Sequence, residues 1–221
     1  MVHRGQLSDR PHYGGRPGHP HPVPGSPIYG IAAGPDGALW YTDCGTDSIG
    51  RITTNGTVSG YPLHTRDVLP YHIVAGPDDA LWFTELYVSE IGRITTAGKI
   101  KEYNTPTPGS QPNGIVEGPR NRLWFVEWAT NNLGEMTTKG VITEYPVPDG
   151  GNPVRITYDG ISALWFTAEH GGWLGRMTRT KIRRFRMPPR QGQPFGITIG
   201  PDGAVWFCEQ AANKIGRFSR P

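Results

Sequence analysis

From Ile28 onward, apolar and polar residues alternate in short runs that stop at Gly, Pro, Asp or Asn. A period of two marks half-buried β-strands rather than amphipathic helices. "LWFTE" at Leu81 to Glu85 is one such run, and close copies begin at Leu39, Leu123, Leu164 and Val205. The copies align on Trp40, Trp82, Trp124, Trp165 and Trp206, spaced 42, 42, 41 and 41 residues apart. That spacing is the length of a propeller blade. Each copy predicts four strands, read in the second as "HIVAG", "LWFTE", "IGRIT" and "KIKEY", with turns at Pro-Asp and Thr-Ala-Gly. The fifth copy, "GITIGPDGAVWFCE…KIGRF", stops before its last strand.

A four-stranded sheet cannot bury both faces alone, so the repeats must stack on one another. The expected fold is all-β, a β-propeller of four-stranded antiparallel blades with five visible repeats across residues 27–221. The recurring Trp and the Phe or Tyr after it are expected between blades. Residues 1–26 are Pro-, Gly- and His-rich and are expected to form a flexible segment, too poor in apolar side chains to repay ordering. Its end, "HPHPVPGSP", matches the segments that come after the outer strands of other copies, so it is a candidate to complete the fifth blade; otherwise blade edges stay open.

Composition narrows the class. With 221 residues, 36% of them hydrophobic, one globular domain is expected. A net charge of +3 lacks the positive stripe of a nucleic-acid binder. The basic run from Arg176 through Arg179, Lys181, Arg183, Arg184 and Arg186 to Arg190 reads as a solvated outer strand or as a docking patch for an acidic partner. No apolar run is long enough to span a membrane, and no apolar leader opens the chain. Cys44 and Cys208 make no disulfide framework and would meet only if the first and last blades did. A cytoplasmic monomer is the expectation. His19 and His21 read as part of a Pro-rich tail or as a metal-catching pair.

Strand alternation puts the ends of the "WFTE" runs and the starts of the next blades on one face of the ring. Three residues beyond each Trp stand Asp43, Glu85, Glu127, Ala168 and Glu209. Such acids suit a divalent cation or proton transfer. Equally, they suit local turn bonds, or pairing with the "IGR" arginines Arg51, Arg93, Arg176 and Arg217. Departures from the repeat are more telling. Blade four moves its acid to Glu169 and adds His170 and Trp173; blade two brings Tyr71 and His72 where other copies have Asn113-Gly114, Val154-Arg155 or Phe195-Gly196. His72 and His170 are candidate bases, and either fits equally as a solvated loop residue. Trp128 offers an apolar surface to a ligand or packs on the next loop.

The repeated "GPDGALWFTE…IGRITT.G…EY" resembles the virginiamycin B lyase (streptogramin B lyase) family, from Ile28 to Arg217. The resemblance implies a seven-bladed propeller that opens cyclic depsipeptide antibiotics by elimination. In that chemistry a histidine takes the proton α to the ester carbonyl, while a magnesium ion held by glutamates polarises the carbonyl. It implies His72 or His170 as base, Glu169 with Glu85, Glu127 or Glu209 as metal ligands, and Tyr71, Trp128 and Phe195 against the substrate. The family opens its late blades with Pro-His, whereas this chain reads "LPYHI", "QPNGI", "NPVRI" and "QPFGI". A catalytically silent propeller binding a small ligand or a protein, and a truncated relative, are the other two readings.

Overall fold

The structure is a computed structural model, and it describes Val23 and residues 27–187 and 192–219. Five antiparallel sheets follow one another along the chain, each joining its strands in chain order. Blade one is β1 (Ile28–Ala33), β2 (Leu39–Asp43), β3 (Ser48–Ile52) and β4 (Val58–Pro62). Blade two is β5 (Pro70–Ala75), β6 (Ala80–Glu85), β7 (Glu90–Thr95) and β8 (Ile100–Asn104). Blade three is β9 (Pro112–Gly118), β10 (Arg122–Glu127), β11 (Asn132–Met136) and β12 (Ile142–Pro146). Blade four is β13 (Pro153–Tyr158), β14 (Ala163–Ala168), β15 (Trp173–Thr178) and β16 (Lys181–Arg186). Blade five has three strands among the described residues, β17 (Pro194–Ile199), β18 (Val205–Glu209) and β19 (Lys214–Phe218).

The core lies between the sheets. Trp40 of blade one packs with Leu81 and Phe83 of blade two. Trp82 meets Leu123 and Phe125, Trp124 meets Leu164 and Phe166, and Trp165 meets Val205 and Phe207. Each seam is thus built by the Trp face of one blade and the Leu and Phe of the next. The aromatic of the outer strand closes the Trp from outside: Tyr61 stacks on Trp40, Tyr103 on Trp82, Tyr145 on Trp124 and Phe185 on Trp165. Inner strands pack β1 on β5, β5 on β9, β9 on β13 and β13 on β17. No comparable contact joins β1 to β17 among the described residues, so the blades form an arc rather than a five-membered ring.

One polar latch recurs at the rim. The Asp of each Pro-Asp turn accepts from the indole Nε1 of its Trp and from the "IGR" arginine; Asp36 bonds Trp40 and Arg51, Asp78 bonds Trp82 and Arg93, and Asp202 bonds Trp206 and Arg217. The arginines therefore pair with the turn aspartates and not with Asp43, Glu85 or Glu209. Blade three reverses the charges, with Arg120 at the Asp position bonding Glu135 at the Arg position, 2.9 Å apart. Blade four has Ile161 at the Asp position, and its Trp165 Nε1 and Arg176 Nε are buried without a hydrogen-bond partner among the described residues.

The basic run is an outer strand: Lys181, Arg183, Arg184 and Arg186 on β16 are exposed, while Ile182 and Phe185 turn inward. Arg184 pairs with Asp149 and lies over Trp173. Cys44 and Cys208 are both free thiols, and Cys44 Sγ donates to Pro70 O instead. The expected flexible segment, apart from Val23, lies outside the described residues, as do His19, His21, Arg190 and any strand completing blade five from upstream.

The Gly of each "IG" pair carries the ring of its neighbouring strand. A methyl on Gly134 would overlap the Phe125 ring, whereas one on Gly60 would meet nothing within 4 Å. Gly134→Ala is expected to lower unfolding free energy by about 1–3 kcal/mol, the usual cost of overpacking a core. Thermal melts check this, with Gly60→Ala unchanged or slightly stabilised as the control.

Candidate functional site

The starts of the inner strands converge at the inner rim of the arc, and buried threonines set their positions. Thr42 Oγ1 accepts from Gly30 N in its own blade and donates to Tyr71 O of the next, at 3.0 Å. Thr84 takes His72 N and donates to Asn113 O, and Thr167 takes Arg155 N and donates to Phe195 O. Blade three carries Val126 at this position, which leaves the Val154 carbonyl without a threonine donor. Arg155 Nη1 supplies the missing bond at 3.1 Å.

Arg155 is the centre of the mouth. Its guanidinium lies 4.5 Å from the Phe195 ring centroid and 5.0 Å from that of Tyr71. It also bonds Asn113 Oδ1, and its Nη2 donates to the Tyr71 hydroxyl at 3.3 Å. One side chain of blade four thereby touches blades two, three and five. Tyr29 extends the aromatic wall, 4.8 Å from Tyr71. His72 sits under this layer, its Nδ1 accepting from Ile115 N at 3.4 Å. Burial, and then the Arg155 charge, push the His72 imidazole down to about 4.

A second cluster joins blades three and four. Trp128 Nε1 donates to Glu169 Oε2 at 3.2 Å, and the Trp128 ring meets His170 edge-on. Asn152 Oδ1 lies 3.0 Å from His170 Nδ1, and Asn152 Nδ2 donates to Trp128 O. Trp128 thus packs on the next loop, the second of its two readings. His170 itself is exposed, with its Nδ1 side engaged by the Asn152 amide oxygen. A cavity of about 590 Å³ opens beside the same loop, lined by Asp149, Gly171, Gly172, Trp173, Arg184 and Arg186.

The acids expected as a metal ring point elsewhere. Three residues beyond a Trp is the opposite face of a strand, so each acid shares the face of the Phe that packs on the preceding blade. Glu85 is fully buried in that seam, and neither of its carboxyl oxygens has a hydrogen-bond partner among the described residues. Asp43 accepts from Gly45 N, Glu127 accepts from Thr130 and Asn132, and Glu209 is buried beside Gly192. Glu169 alone stands with His170. Among the described residues, no group of three or more His, Cys, Asp or Glu side chains is placed to hold a metal ion. Among the described residues Glu169, Glu85, Glu127 and Glu209 are therefore not gathered at one point, and His72 and His170 fall in separate clusters. Arg155, Asn113 and Asn152 were missed in the sequence, although Arg155 stands where Gly30, Gly114 and Gly196 stand in other copies.

These environments set a pH dependence. Burial first, then the charges of Glu102, Glu90 and Asp47, push Glu85 up to about 9 from an ordinary value of 4.5. Burial pushes Glu127 up to about 7. In the windows from 4.5 to those values the folded protein holds protons that the unfolded chain has released, so stability falls as pH rises. His72 acts oppositely: its stabilisation is present above 6.5 and is lost as pH falls toward about 4. Denaturant titrations of Glu85→Gln should lose the decline in stability between about pH 7 and 9 while keeping the acid limb; an unchanged alkaline limb would contradict a protonated, buried Glu85.

The comparisons with known proteins agree with this architecture. The model of the virginiamycin B lyase family matches residues 10–160 and 150–220. A selenomethionine-substituted virginiamycin B lyase from Staphylococcus aureus is 41% identical, with a TM-score of 0.83, over 86% of this chain and 66% of that one. A catalytically inactive form from the same organism, with quinupristin, is 39% identical with a TM-score of 0.81 over the same shares. The virginiamycin B lyase of Bordetella parapertussis is 45% identical over 47 residues, 21% of this chain and 16% of that protein. The chain spans just under two thirds of the solved relatives' length. It belongs to the virginiamycin B lyase family.

Proposed function

We propose that the mouth binds a streptogramin B antibiotic, or a cyclic depsipeptide of the same chemistry, with Arg155 as the principal donor. The observation that carries this reading is the Arg155 guanidinium held between Tyr71 and Phe195 and tied to Asn113. A planar guanidinium has five N–H donors and no acceptor, which matches a ring of ester and amide carbonyls. The flanking aromatic faces would take apolar side chains of the ligand. The family supplies the ligand class, since a solved relative is described with quinupristin. Titration of the full chain with quinupristin, followed by calorimetry, should give saturable binding that Arg155→Ala weakens about tenfold or more. Hydrogen bonds to a charged group contribute about 1.5–3 kcal/mol, and about 1.4 kcal/mol is tenfold in affinity. Saturable binding unaffected by Arg155→Ala, or none at all, would refute the proposal.

A second reading, elimination at the ester, is favoured by the His170 arrangement. Asn152 fixes Nδ1 and leaves Nε2 to take a proton from the carbon next to the lactone's alkyl C–O carbon; the C–H electron pair becomes a C=C bond as that C–O bond breaks and its electron pair leaves on the carboxylate. No metal-assisted step is assigned, because the carboxylates do not gather. The same incubation, analysed by liquid chromatography with mass spectrometry, separates the readings. A product of unchanged mass and altered retention, absent with His170→Ala, means elimination; antibiotic bound but recovered intact means binding alone.

A further inference from the structure

We propose that the cavity at the outer corner between blades three and four binds a small molecule through a carboxylate group, which Arg184 and Arg186 hold. Equivalent positions in successive blades point to it. On the outer strand, opposite the Gly of each "IG" pair, stand Glu102 in blade two, Glu144 in blade three and Arg184 in blade four. Each reaches back to the connection before its own blade. Glu102 accepts from His64 N and pairs with His64 Nδ1, and Glu144 accepts from Thr107 N and Thr107 Oγ1. A carboxylate thus fills this corner in two seams. In the following seam Arg184 stands in its place and pairs with Asp149. The connection there is also one residue shorter, running seven positions from Pro146 to Pro153 against eight from Asn104 to Pro112.

What the corner holds instead is the cavity of about 590 Å³, within the size range of small-molecule sites. Strand register explains its lining. Ile182, Arg184 and Arg186 share one face of β16, and Ile182 packs into the seam with blade three, so both guanidiniums belong to that side. Trp173, directly opposite Arg186, gives the cavity an aromatic wall where other blades have Ser48, Glu90 and Asn132. The ring is held edge-on against Phe166, and methyls on Gly151 and Gly171 would lie 2.9 and 2.1 Å from it. Two guanidinium forks beside a fixed wall suit a planar carboxylate, which each fork can bind through two N–H groups. Charge agrees. The two arginines face Asp149 as the one acid lining the cavity among the described residues, which leaves one positive charge to be matched. Arg186 has no ion-pair partner among the described residues, and the Asp149 side chain is 71% exposed, so an incoming carboxylate can displace it from Arg184. Beyond Arg186 the chain turns to the other face, where Met187 packs with Trp165 and Phe207 in the seam with blade five.

Nuclear magnetic resonance titration of the full chain tests this with N-acetylglycine, a carboxylate, and N-acetylglycinamide, its neutral analogue. The indole Nε1–H signal of Trp173, identified as the one lost in Trp173→Phe, should shift saturably with the acid and stay in place with the amide. Arg184→Gln and Arg186→Gln should each weaken binding about fivefold or more, the loss of a charge-assisted hydrogen bond at an exposed site. Asp149→Asn removes the internal competitor and should tighten binding about twofold or more. All three positions are exposed, and circular dichroism checks that the variants fold. A shift that never saturates, that the amide reproduces or that survives Arg186→Gln overturns the proposal, and so does weaker binding in Asp149→Asn. Inorganic phosphate that displaces N-acetylglycine at a lower concentration than the acid itself requires would overturn the carboxylate assignment in favour of a phosphate group. Arg155 does not line this cavity, so Arg155→Ala should leave the titration unchanged; binding lost in that variant would put the probe at the mouth and overturn the corner site.

Discussion

Every other feature of this fold depends on the stacking of one blade's Trp face against the Leu and Phe face of the next. A lone four-stranded sheet leaves both faces wet, and the aromatic and aliphatic volume in "LWF" is too large to leave there. Stacking buries it, but only if backbones approach closely. That is why glycines stand at the strand positions where a Phe ring or the next inner strand lies, at Gly134 and Gly30 for example. The same requirement is visible at Ile31, Leu39 and Ile215, which are exposed where no neighbouring blade stands among the described residues.

The latch that holds the outer rim shows how the repeat tolerates change when the change is paired. Blade three exchanges Asp and Arg for Arg120 and Glu135 and keeps an ion pair. Blade four has Ile161 in place of the acid, and Arg176 lies over the Trp165 ring; among the described residues Trp165 Nε1 and Arg176 Nε have no hydrogen-bond partner, as Trp124 Nε1 has none in blade three. Because these groups lie on the rim away from the mouth, either outcome leaves the inner strands in place.

The candidate site lies where the repeat is broken. Replacing a threonine by Val126 deprives one carbonyl of its donor, and the next blade answers with Arg155, which bonds that carbonyl and reaches three neighbouring blades. A single apolar substitution in one blade is thereby tied to the cation that defines the mouth. The His170 cluster arises the same way, from a loop that departs from its four counterparts.

The amino-acid sequence by itself determined the strand period, the repeat length, the turn positions and the family, because these are local properties written in spacing. It also marked Tyr71, His72, Glu169, His170 and Trp173 as departures from the repeat. It left the carboxylates between a ring and local turn bonds; the structure gives Asp43 and Glu127 local bonds, and the strand pleat turns Glu85 and Glu127 into the seam with the preceding blade. Only the tertiary structure decided that Arg155 lies between Tyr71 and Phe195 and that the acids do not gather among the described residues. Those facts depend on which blades meet in space, and residues as far apart as Tyr71 and Arg155 acquire a common environment only when the sheets have stacked.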